Sequence, residues 1–424
     1  MSALLLGPLV LLAVAGLPFY LVLGGLALFG FSAQSINPAV FFAELLRLTE
    51  NPALVAVPLF ILAGYILAES RASERLGQLA RALLGWLPGG LAVATLLVMA
   101  LFTAFSGASG VTIVAMGGMM LPTLLKGGYD ERFSLGLITA SGSLGLLFPP
   151  SLALILYGVV SGVSISQLFV AGVLPGLILV AALGIFAIQH ARRLGTTTVS
   201  GRPPLLPALR AALWETLLPL VVVGGIYAGL FTAPEAATVT LIYVALVECF
   251  ITRDLHPLRD LPRILKQSSL LVGGILVILG SAMALTNFLV YADVPTAVLN
   301  WLQSAVSSRV TFLLLLNLFL LVIGSIIEIF SALVVVVPLI VPLAQHYDVH
   351  PLHLGIIFLM NLEIGYCTPP VGLNLFLASF RFQKPIVPIY RAVLPFLILQ
   401  LIILALITYL PALTLYPVTL FAAK

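Results

Sequence analysis

Two proline pairs, Pro149–Pro150 and Pro369–Pro370, interrupt long apolar stretches of the 424-residue chain. A proline donates no backbone hydrogen bond and its ring clashes with the turn before it, so a helix that runs into such a pair must divide into two half-helices. Division frees the carbonyls that precede the pair. Small and hydroxyl residues surround the breaks: Ser141, Gly142, Ser143 and Gly145 before the first pair, Gly365 and Thr368 before the second. Carbonyls and hydroxyls together make an oxygen-only shell suited to a hard monovalent cation, and sodium fits better than a transition metal because no His or Cys cluster accompanies them. The Ser- and Gly-rich turn from Ser106 to Thr112 offers the opposite chemistry. A helix starting there presents amide donors and a positive dipole end to a carboxylate, so Ser109, Gly110 and Thr112, with Ser143, are the expected substrate contacts. Any one Ser or Gly in a membrane helix also has a plainer reading, because small residues let helices pack closely.

Glu328 and Glu363 fall inside apolar stretches, where a carboxylate is expensive and is a functional candidate unless it caps a helix or pairs locally. Glu235 and Glu248 lie nearer the ends of apolar runs, where solvation accounts for them. Enzyme chemistry finds no support. Tyr129–Asp130 and Tyr347–Asp348 could supply the two aspartates of an intramembrane protease, but the topology derived below puts them on opposite faces of the membrane. His346, His350 and His353 gather at one boundary and His190 and His256 at the other, so no His reaches a central Ser. A Walker motif is absent, which argues against an ATP-driven pump, and Cys249 and Cys367 show no ligand spacing.

The elements that must position these groups are membrane helices. Hydrophobic residues make up 61% of the chain and charged residues 8%, with a mean hydropathy of +1.21, a composition that belongs in a bilayer. The stretches 3 to 29, 52 to 69, 166 to 190, 211 to 230, 233 to 252, 268 to 290 and 386 to 411 each approach the ~20 residues a span requires. The first is longer than a signal peptide and has no basic leading region, so it is expected to be retained as a span. The formal charge of +4 forms no stripe with interleaved aromatics, which excludes nucleic acid as a partner. Placing the acid-free loop with Arg192, Arg193, Arg202 and Arg210 in the cytoplasm puts all but Arg47, Arg309 and Lys424 of the 19 Lys and Arg on that side. This orientation has the N-terminus cytoplasmic and the C-terminus outside.

The chain also repeats itself. Segments 91 to 162 and 311 to 381, laid on one another at an offset of 220 residues, match Pro122 with Pro342, Gly145 with Gly365, and one proline pair with the other. Each half, 1–190 and 233–424, is expected to hold two spans, a re-entrant hairpin (about 88–126 and 309–346), a broken helix (about 131–162 and 350–380) and a final span. The turn at Ser106 to Gly110 leaves apolar arms of about 16 residues, enough to reach mid-membrane and return. A half of this kind crosses the membrane an even number of times, so the unmatched span within 191–232 inverts the second copy. The fold class read from the sequence is an all-α integral membrane protein with an inverted-topology repeat.

The runs GASGVTIVAMGGMMLP, ASGSLGLLFPPS and NLEIGYCTPPVGLNLF, with PLFILAGYIL, TAPEAATVTLIY and RDLPRIL, resemble the large membrane subunit of tripartite ATP-independent periplasmic (TRAP) transporters. The resemblance covers essentially the whole chain. It implies symport of Na+ with an organic anion such as a C4-dicarboxylate, a keto acid or a sialic acid, through an elevator-type transport domain in a bacterial inner membrane. It implies two partners, a small four-span membrane subunit and a periplasmic substrate-binding protein. One cation site would use Ser106, Gly107 and Ser109 with Ser141, Ser143 and Gly145; the other would use Gly324, Ser325 and Glu328 with Asn361, Gly365 and Thr368. A stand-alone symporter of divalent anions with similar repeats is the alternative.

Overall fold

The computed structural model describes residues 18–50, 52–195, 204–294, 300, 306 and 308–422, and every regular element among them is helical. Residues 3 to 17 of the first expected span, Arg202 and Lys424 lie outside the described residues. The first half contains α1 (Phe19–Ala33), α2 (Ala39–Arg47), α3 (Ala56–Glu69), α4 (Ala72–Leu84), α5 (Gly90–Ser106), α6 (Ser109–Lys126), α7 (Glu131–Ser141), α8 (Leu152–Ser161) and α9 (Ile165–Leu194). Then come α10 (Leu205–Ala211) and α11 (Leu213–Tyr227). The remainder contains α12 (Ala233–Leu246), α13 (Leu261–Tyr291), α14 (Arg309–Ile326), α15 (Ile329–His346), α16 (Pro351–Gly365), α17 (Leu373–Phe382), α18 (Ile386–Tyr409) and α19 (Ala412–Ala422). Eight described helices are long and apolar enough to cross a bilayer, or up to ten when bent pairs count as spans.

The hairpin of α5 and α6 is visible in its side chains. Thr95 Oγ1 meets Met120 Sδ at 3.6 Å and Thr103 Oγ1 meets Thr112 Oγ1 at 2.7 Å, so numbering rises along one helix as it falls along the other. Gly107 makes the reversal possible because its φ of +66° is a left-handed conformation that residues with a Cβ resist. The offset of 220 read from the sequence holds in the helix bounds: α6 spans 109 to 126 and α15 spans 329 to 346. Packing is reciprocal as well, α15 lying against α8 and α6 against α17. The second turn differs, because α14 runs along α16 and touches α15 little.

Both proline pairs break their helices. The segment Glu131–Leu147 bends 45° onto α8, with Ser151 capping the new start through the Leu154 amide. In the second half α16 ends at Gly365 and the chain resumes as α17 after Gly372. The extra span is itself bent, α10 meeting α11 at 58°.

One expectation is overturned. Glu248, assigned by its sequence position to a solvated span end, has a fully buried side chain. The amphipathic α4 lies between two spans and delivers Arg75, whose Nη2 sits 2.9 Å from Glu248 Oε2. A π-helical turn over Val247–Ile251 helps to aim Glu248 inward. Glu235, by contrast, remains exposed and closes a capping box with Thr232.

Asp130, one of the residues weighed for protease chemistry, caps a helix. Its Oδ2 accepts from the Phe133 amide at 2.8 Å, and its Oδ1 lies 2.8 Å from His190 Nε2, whose ring stacks on Phe133. Burial pushes the Asp130 carboxyl up, but the hydrogen bonds from His190 and Phe133 outweigh it and hold the group below its usual 3.8. A depressed folded value stabilises the protein above the unfolded pKa, and this support is lost as pH falls through the folded value. Thermal unfolding of purified Asp130→Ala should show a loss of about 1 kcal/mol at neutral pH, the usual cost of an N-cap, fading under acid.

Candidate functional site

The first hairpin tip gathers oxygens. Thr103 Oγ1 lies within 2.9 Å of the Met99 carbonyl, 2.7 Å of Thr112 Oγ1 and 2.7 Å of the Gly142 carbonyl, while Ser106 Oγ stands 3.4 Å from Thr112. A hydroxyl has one proton, so Thr103 satisfies only one of these acceptors at a time. The Gly142 carbonyl belongs to the break in the first divided helix. Proline geometry and hairpin geometry therefore converge on one cluster with more oxygens than protons, a donor set that fits a hard cation.

The other residues expected around this break point elsewhere. Ser141 Oγ turns back to the Ile138 carbonyl at 3.2 Å, and Ser143 Oγ faces the Glu363 carbonyl at 3.5 Å, with Asn374 Nδ2 also 3.5 Å away. Gly145 contributes by absence of a side chain, since a Cβ there would lie 2.2 Å from the Ala100 carbonyl oxygen. Gly365 repeats that contact in the second half, where a Cβ would lie 2.6 Å from Gly324 C.

The second tip is arranged differently. Glu328 Oε2 accepts from the amides of Phe330 at 2.9 Å and Ser331 at 3.2 Å, and the Tyr366 hydroxyl accepts from Ile329 N. All three first-turn amides of α15 are thus occupied. Ser325 and Thr368 bond to carbonyls of their own helical turns. Asn361 lies one turn before Gly365 on α16, donating to Asn317 Oδ1 at 2.6 Å, and its own Oδ1 is buried without a partner among the described residues. Both carboxylate oxygens of fully buried Glu363 are likewise unpartnered among the described residues.

A cavity of about 770 Å³ separates the two tips from α3 and α13. Ser106, Gly107, Ser109, Gly110 and Glu328 line it, together with Tyr366. Thr112, Ser141, Ser143, Gly145, Gly324, Ser325, Asn361, Gly365 and Thr368 do not, so these expected site residues stand behind its walls. The sequence reading missed Thr103, Asn317 and Tyr366. Thr103 had a signal, its position one helical turn before Ser106 on the same face. Tyr366 had none, because its role depends on where α15 begins.

Two hairpin tips that line one cavity while each packs on a broken helix suit a transporter, and comparison with known proteins identifies which kind. The family profile described as "Tripartite ATP-independent periplasmic transporter, DctM component" matches residues 6–413. This chain belongs to the DctM family. The C4-dicarboxylate TRAP transporter large permease protein DctM of Pseudomonas aeruginosa is 35% identical over 92% of both chains. Its namesake in Rhodobacter capsulatus is 36% identical over 98% of both. The isethionate TRAP transporter permease protein DctMQ of Oleidesulfovibrio alaskensis is 32% identical over 97% of this chain, which spans 65% of that longer protein. In three dimensions the chain is similar to the Alcanivorax borkumensis YdaH transporter, described as having an unusual topology, with a TM-score of 0.63, 16% identity and 86% of each chain covered. That likeness concerns the fold alone. Membership in the DctM family makes this chain a multi-pass transporter component and not an enzyme.

Proposed function

We propose that this chain is the large subunit of a sodium-driven symporter that takes up a small organic carboxylate across a bacterial inner membrane. The observation that carries the reading is the meeting, at one hairpin tip, of a cluster of hydroxyl and carbonyl oxygens and a helix N-terminus that no side chain caps among the described residues. Thr103, Thr112, Ser106 and the Gly142 carbonyl would hold one cation, and the amides and hydroxyl at Ser109 and Gly110 would meet the carboxylate. A second cation would sit behind the other tip, where Gly324 and Ser325 lie against Gly365 and Asn361 Oδ1 lacks a donor among the described residues, with Thr368 three residues beyond Gly365. Halves 1–190 and 233–424 act as inverted repeats in this reading, the hairpins and broken helices moving together as an elevator against the remaining spans. The N-terminus is then cytoplasmic and the C-terminus periplasmic.

A small membrane subunit and a periplasmic binding protein complete the system. The relative named DctMQ supports the first, because its length beyond this chain leaves room for a joined second subunit. Proteoliposomes containing the chain, the small subunit and the binding protein should accumulate a labelled carboxylate only when sodium is higher outside. Accumulation by this chain alone would assign it instead as a stand-alone symporter, and accumulation indifferent to sodium would remove the coupling. In the same assay Thr103→Val, which keeps shape and loses an oxygen ligand, should raise the sodium concentration for half-maximal uptake about tenfold, equivalent to ~1.4 kcal/mol.

A further inference from the structure

We propose that Glu328 sets the charge class of the substrate, so that the cavity favours a zwitterionic monocarboxylate over a dicarboxylate; this rests on the uptake reading above. The cavity has two unlike poles. At one, α6 begins without a side-chain cap, and the Ser109 hydroxyl, on a residue only 4% exposed, lines the cavity with no partner among the described residues. That pole accepts a carboxylate. At the other, Glu328 occupies the position that Ala108 holds in the first turn, 220 residues earlier. Its Oε2 takes two α15 amides, which fixes the position of the carboxyl group, and the residue lines the cavity. With Ile329 N held by Tyr366, the second tip has no free first-turn amide for an anion.

No Lys, Arg or His lines the cavity among the described residues. Glu69, the other acid on its wall, is paired with Arg263 at 2.8 Å. The second carboxylate of a dicarboxylate would therefore meet Glu328 with no basic side chain between them, whereas an ammonium group would find its counter-ion. Apolar walls from Ile275, Ile278, Leu373 and Leu377 suit a short aliphatic stretch joining the two ends.

Three probes of equal carbon number separate the possibilities: succinate, butyrate and 4-aminobutyrate. The full chain in lipid nanodiscs, in sodium buffer, is titrated with each, and binding is read from thermal stabilisation. 4-Aminobutyrate should bind about tenfold or more tightly than succinate, with butyrate between them. Glu328→Gln should erase the advantage of 4-aminobutyrate, and Glu328→Asp, which keeps cap and charge, should preserve the order. Succinate binding best, or the three ranking alike, overturns the proposal, as does an unchanged order in Glu328→Gln. Sodium-driven uptake is tested separately in the assembled system, where accumulation indifferent to sodium overturns it whatever the order of binding of the three.

Discussion

Alanine at Gly145 or Gly365 will cut uptake by about tenfold or more, while alanine at Gly273 will leave it intact. The Gly145 Cβ would stand 2.2 Å from the Ala100 oxygen and 2.4 Å from the Ala104 amide, and the Gly365 Cβ 2.6 Å from Gly324 C and 2.7 Å from its Cα. Backbone atoms cannot rotate out of the way, so the helix preceding each tip must retreat from the broken helix. Overpacking of this kind costs about 1–3 kcal/mol, and the retreat also pulls the Thr103 hydroxyl from the Gly142 carbonyl. A Cβ on Gly273 meets nothing within 4 Å among the described residues, and there the helix gains about 0.5–1 kcal/mol from alanine. Reconstituted uptake and thermal melting of the three variants decide the matter. Equal behaviour of Gly145→Ala and Gly273→Ala would show that close approach at the break is not what the site requires.

The same two glycines show what the sequence made legible. Pro, Gly and Ser report backbone events directly, since a missing amide proton or a missing Cβ acts wherever the residue stands. Both breaks, the Ser106–Gly110 tip and the offset of 220 could therefore be read in advance, and the helix bounds of α6 and α15 repeat at that offset. Side-chain partnerships were less accessible. Ser141, Ser143 and Ser106 look alike as letters, yet only Ser106 reaches the Thr112 cluster, because helical phase near a break changes with each residue of 3-10 turn. Glu328 required knowledge of the first residue of α15. One residue's difference separates a cap from a free acid.

Distance along the chain hid the remaining feature, a cluster of charges that links four elements. Arg75 on α4 pairs with Glu215 of α11, with Glu248 in the π-helical turn that follows α12, and with Asp254 in the next loop, while the Arg71 amide also donates to Asp254. In sequence Arg75 stands 140 residues from the first of these partners. Burial opposes the guanidinium's charge, but the three carboxylates outweigh that penalty and raise its pKa, so the side chain stays ionised.

Arg75→Ala should consequently destabilise the protein by about 3–5 kcal/mol, because two acids with 3% and 0% side-chain exposure would lose the only cation paired with them among the described residues. The reverse change is expected to be mild. Three acids around one cation leave an excess of negative charge, and Glu215 Oε2 already lacks a partner among the described residues, so Glu215→Gln should cost less than about 1 kcal/mol. Melting curves of the two purified variants test the asymmetry, and comparable losses would refute it. The functional consequence follows from connectivity: α4 joins α3, on one wall of the cavity, to the hairpin arm α5 behind the other. Freed from Arg75, α4 would no longer anchor that joint to α11 and α12, so even protein that still folds should lose uptake before it loses binding.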